Sequence, residues 1–211
     1  MIFAAIGLAI VLVAVVVIKY KKNALVETVL NALKAEINGE LTKGSLLQDP
    51  TLQVYLHGIS IMVSAMVAGG RAGGSAGRQP IWYAMANIAS ETPGNFQILM
   101  KAPQVIDSTL KTVFMTGDDG FDSMSTVYIG NQSDKPVVQH ILDSAMRYRL
   151  RQLIETCPNL RINLLKTKLS VSVPFATIKN GRELNALILL LMDILEKMRR
   201  YDAIKQAVIS G

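Results

Sequence analysis

The first eighteen residues, MIFAAIGLAIVLVAVVVI, contain no polar side chain, and Lys19, Tyr20, Lys21 and Lys22 follow at once. A helix of that length rises roughly 27 Å, about the hydrocarbon thickness of a bilayer. A helix also satisfies every backbone group within the segment, which lipid demands. The run therefore predicts a single transmembrane anchor with a basic flank over residues 1–22. In this reading Ile2, Phe3, Leu8, Val11, Val15 and Ile18 face lipid, while Lys19, Lys21 and Lys22 meet the headgroups.

A cleaved signal peptide fits less well, because no Lys or Arg precedes the run and Val17-Ile18-Lys19 offers a peptidase nothing small to cut. Positive charge on the C-terminal flank alone predicts an outward N-terminus. Residues 19–211 are then expected in the cytoplasm, held at the inner membrane.

The formal charge of +6 is unevenly spread. Residues 19–22 hold three basic groups, residues 23–138 hold 7 basic against 10 acidic, and residues 139–205 hold 12 against 6. Half the excess sits beside the apolar run, and the rest lies on two predicted helices, where anionic lipid would suit it as well as phosphate. A nucleic-acid surface wants a concentrated basic stripe interleaved with aromatics, and the whole chain holds only 12 aromatics. No nucleic-acid partner is expected. The single cysteine, Cys157, rules out an internal disulfide and reads as a small buried residue beside a helix end.

Past the anchor, Ala24, Leu25, Val29, Leu30, Leu33 and Ile37 recur at helical spacing until Asn38-Gly39. This predicts a juxtamembrane helix to about residue 37 and a linker over 38–50, together residues 23–50. The middle of the chain alternates with period two. Leu52, Val54 and Leu56 form one strand; Ile59, Ile61, Val63, Ala65 and Val67 form the next, with His57-Gly58 as the tight connection. A glycine-rich loop, GGRAGGSAGR, leads to a strand over 81–88, and further strands follow at 96–101, near 111–116 and at 123–130. A helix from Pro136 to about Thr156 is predicted next. The hairpin that follows pairs Leu160, Ile162 and Leu164 with Leu169, Val171 and Val173. The fold class expected is α+β: residues 51–211 as one antiparallel-sheet domain carrying two long helices.

The last helix, from about 182 to 207, bears an ordinary inner stripe of Leu184, Leu187, Ile188, Leu191, Leu195 and Met198. Leu189, Leu190 and Met192 occupy its other faces, so residues 186–192 are apolar all round. A helix of that kind needs cover on two sides. These three residues are the candidate partner contacts.

Gly73-Gly74-Ser75-Ala76-Gly77 matches G-x-S-x-G, but Arg78-Gln79-Pro80 and a strand follow where that motif needs a helix. Asp118 or Asp122 with His140 completes a nominal triad only by coincidence of order. Asp118-Asp119-Gly120-Phe121-Asp122 lacks the spacing and closing Glu of a calcium loop, and Ile129 stands at that last position. His57, His140 and Cys157 are too scattered for zinc. Arg147, Arg149 and Arg151 read as a solvated or headgroup-facing surface. No catalytic residue, metal or cofactor is expected.

From Phe96 to about Leu195 the order of features resembles a family of uncharacterised bacterial membrane-anchored proteins with an α+β domain. The resemblance rests on FQILM, then TGDDGFD leading into MSTVYIG, an R-x-R-L-x-x-L helix around Arg149 to Leu153, and the hairpin LRINLLKTKLSVSVP. It implies a membrane-tethered α+β domain and carries no catalytic residues. The function expected is a non-catalytic accessory subunit of a bacterial membrane complex, with lipid and other subunits as partners. The alternatives are a tethered binding or scaffold module, reading headgroups or self-associating, and, third, a membrane-bound hydrolase.

Overall fold

The computed structural model describes residues 2–67, 80–88, 95–100, 106–110, 112–165 and 167–210. Among the described residues, nine antiparallel strands form a single sheet in the order β1-β2-β3-β4-β9-β8-β5-β7-β6. They are β1 (Gly39–Thr42), β2 (Thr51–Leu56), β3 (Ile59–Val67), β4 (Pro80–Asn87), β5 (Phe96–Met100), β6 (Thr112–Phe114), β7 (Ser125–Ile129), β8 (Arg161–Leu165) and β9 (Lys168–Pro174). The helices are α1 (Ile2–Glu36), the short α2 (Asp119–Asp122), α3 (Lys135–Ile141), α4 (Ser144–Thr156) and α5 (Gly181–Ser210). The fold is α+β, as the strand and helix periodicities indicate.

Period-two alternation gives β2, β3, β4 and β9 one core-facing side, whereas β5 is buried on both faces. Leu52 and Val54 of β2, Ile61, Val63 and Ala65 of β3, Trp82, Ala84 and Ala86 of β4, and Val171 and Val173 of β9 all point into one core. Their alternates, Gln53, Met62, Tyr83 and Ser170 among them, are half-buried on the other face. The expected register of the last hairpin holds, with Leu164 opposite Leu169 and Ile162 opposite Val171. Trp82 is capped by Phe175, whose ring stacks on it at 5.3 Å between centroids.

Three findings differ from the sequence expectations. First, among the described residues no helix is long and apolar enough to cross a membrane. The side chains of Ile2, Phe3 and Leu8 lie outside the described residues. Among the described side chains of that run, Val11, Val15 and Ile18 are exposed. From there α1 turns onto the domain: Val26, Val29, Leu30 and Leu33 are buried in the same core as the sheet. The single-pass inner-membrane anchor, with its outward N-terminus and cytoplasmic domain, is therefore not supported.

Second, the expected linker 38–50 contains β1, which pairs with β2 from Gly39 opposite Val54 to Thr42 opposite Thr51. Third, the helix expected over 136–156 is two helices. Asp143 takes an extended conformation between them and its carboxylate accepts from the Met146 N–H at 2.9 Å, starting α4 afresh. Two long helices do lie on the sheet, but they are α1 and α5.

The close crossing of α1 and α5 depends on Gly181. A Cβ there would stand 2.6 Å from the backbone nitrogen of Leu33 and 2.8 Å from the carbonyl carbon of Ala32. Within the all-round apolar segment of α5, Leu187, Ile188, Leu190 and Leu191 are buried, and α5 packs against α1, α3, β4 and β9.

Candidate functional site

Asn185, Leu189, Met192, Glu196 and Arg199 are spaced four, three, four and three apart, so they form one stripe along α5. That stripe is one wall of a groove of about 530 Å³. The opposite wall comes from Ile37, just past α1, and from Leu56 and Ile59 on either side of the β2–β3 turn. Leu56 pairs with Ile59, so the turn is a two-residue loop, His57-Gly58. Both residues have positive φ, 50° and 74°, as a tight primed hairpin turn requires. The turn brings His57 to the groove mouth.

The floor is apolar and the rim polar. Leu189 is 49% exposed, and Met192 is half-buried. Asp193 pairs with Arg149 of α4, and Glu196 pairs with Arg200. The Asn185 Oδ1 is buried and finds no hydrogen-bond partner among the described residues. An acceptor left that way costs about 1–3 kcal/mol, so this wall favours anything that brings a donor.

The predicted partner residues thus divide. Leu189 and Met192 line the groove, whereas Leu190 is fully buried in the core and belongs to the fold. Sequence reading missed Asn185 and Ile37 as wall residues. The signal available for His57 was the His-Gly pair between two strands, which read as a connection and not as a wall.

The other candidates take structural roles. Asp118 caps α2 by accepting from the Phe121 N–H at 3.0 Å, and it pairs with Arg147 at 3.0 Å and Arg151 at 3.6 Å. The Phe121 N–H first, then the Arg147 guanidinium, hold its carboxyl below the usual range. Asp122 accepts from the Thr116 N–H and hydroxyl and from the Gly117 N–H. The TGDDGFD segment is a capped turn riveted to α4, and the three arginines are engaged with Asp118 and Asp193 instead of facing solvent alone. His140 packs against Tyr201 at 5.5 Å between rings. Cys157 is buried, which pushes its thiol pKa up. Among the described residues, no group of three or more His, Cys, Asp or Glu could hold a metal ion. Ser75 and its glycine-rich loop lie outside the described residues.

The lysines of the basic flank are partly committed. Lys19 reaches Asp49 at 2.5 Å and Lys22 reaches it at 3.2 Å, while Lys21 is exposed. Burial raises the Asp49 pKa, and the two ammoniums outweigh it to leave a net lowering.

A nine-stranded antiparallel sheet carrying α1 and α5 is the architecture of a small α+β module. One solved structure shares it: the crystal structure of the mycobacterial trehalose monomycolate transport factor A, TtfA, aligns with a TM-score of 0.52 and 9% identity. The alignment covers 81% of this chain and 94% of that one. At that identity the likeness concerns the fold. No family model and no curated protein matches the chain.

Proposed function

We propose that the chain is a non-catalytic accessory subunit of a membrane protein complex, docking on a partner protein through the α5 groove. The observation that carries this reading is Leu189: a large apolar side chain, half exposed, on a helix whose neighbouring leucines are all buried. It borders a groove with an apolar floor and a polar rim, the usual layout of a recognition site. The likeness in fold to a protein named as a transport factor supports an accessory role over an enzymatic one.

The test is co-purification of the full chain in mild detergent. Leu189→Asp and Met192→Lys should remove a partner that the wild-type chain retains, with the melting temperature unchanged. If both variants keep every partner, the reading fails. A second reading, self-association, is favoured by the exposed apolar side chains from Ile10 to Ile18. Sedimentation of the purified chain decides it: a monomer at micromolar concentration excludes that reading.

A further inference from the structure

A second groove, of about 430 Å³, lies beside the middle of α1, roughly 20–25 Å along the helix from the first. Val15, Ile18 and Met66 form its walls, and Lys19, Lys22 and Asp49 close one end. The three apolar side chains are 57%, 68% and 40% exposed, so the groove is apolar surface open to solvent. The volume falls in the range of small-molecule sites, about 300–1,000 Å³.

The polar end has unused binding capacity. Each lysine ammonium carries three N–H donors. Lys19 uses one, on Asp49; Lys22 uses two, on Asp49 and on the Ala65 carbonyl at 3.4 Å. Among the described residues three of the six donors are taken, which leaves three at the mouth of an apolar trough. The charge there is two ammoniums against one carboxylate, a surplus of one positive charge. That surplus matches a singly charged carboxylate. A phosphate monoester, at about −1.5 to −2, would overshoot it.

We infer that this groove binds a monomeric long-chain carboxylate, with its acyl chain along Val15, Ile18 and Met66 and its head between Lys19 and Lys22. The inference does not rest on the docking reading, since the two grooves share no residue.

The test is calorimetric titration of the full chain with dodecanoate below its micelle concentration. Dodecanol and dodecyltrimethylammonium serve as probes of the same chain with a neutral and a cationic head. Dodecanoate should bind about one molecule per chain, and the other two at least about tenfold more weakly. The double variant Lys19→Gln/Lys22→Gln should lose about tenfold in dodecanoate affinity. If that variant loosens α1, Met66→Glu carries the test, because it leaves the lysines in place and sets a like charge against the ligand in the wall. It too should lose at least about tenfold. Equal affinity for all three heads, or dodecanoate affinity unchanged in Met66→Glu, overturns the inference. So does attachment to anionic vesicles with no binding of monomeric dodecanoate.

Discussion

Leu190 is fully buried among the core side chains, while Leu189, one residue earlier, stands half exposed at the groove. Their truncation should separate the two roles. Leu190→Ala, like Leu191→Ala, is expected to cost about 2–5 kcal/mol, whereas Leu189→Ala should stay within about 0.5 kcal/mol. Denaturant titration of the three variants reads both numbers. Sequence alone could not make this division, because an all-round apolar segment looks the same whichever residue a neighbouring helix happens to cover.

Asp118 supplies a pH prediction at the same scale. Its folded-state pKa is depressed by the Phe121 N–H and by Arg147, so the stability it contributes is present above the unfolded carboxylate pKa and is lost as pH falls through the folded one. Asp143 and Asp49 are lowered too and act in the same direction. The melting temperature should therefore fall as pH drops below about 4. Asp118→Asn should melt lower at neutral pH and show a shallower acid slope. A parallel slope in the two proteins would count against the assignment. Cys157, buried and with its thiol pKa raised, should resist alkylation by iodoacetamide until the chain is unfolded.

At the scale of elements, the crossing of α1 and α5 carries the most specific expectation. Gly181→Ala places a methyl group against the Ala32–Leu33 backbone, which cannot yield as a side-chain tip would. The cost should be about 1–3 kcal/mol, seen as earlier thermal unfolding. A neutral substitution would mean that the helices cross less closely than described. The strands read well because Leu52, Val54, Ile61, Val63 and Ala65 alternate without interruption, and period two has one structural meaning. The restart at Asp143 was hidden because Val138, Ile141, Met146 and Leu150 keep a nearly continuous apolar period across it, while the N-cap that breaks the helix is one aspartate between Leu142 and Ser144. The role of α1 was misread for a different reason. An apolar run followed by lysines looks like a bilayer span, and nothing local says that Lys19 and Lys22 turn toward an aspartate some 30 residues on.

For the molecule as a whole, exposed apolar side chains among the described residues gather along Ile10–Ile18 and at a few further places. The groove between the β2–β3 turn and α5 is one of them, and its two walls come from residues more than a hundred positions apart. Long-range packing of that kind leaves no mark in a local pattern, which is why Ile37 and Asn185 could not be read as wall residues from the sequence. The docking role predicts where a neighbouring protein must lie. A photo-crosslinking amino acid placed at Leu189 of the full chain, expressed in its native cell, should yield a discrete protein adduct. The same probe at Tyr148, exposed on α4, should not. No adduct at position 189, or adducts of equal strength at both positions, would contradict the account.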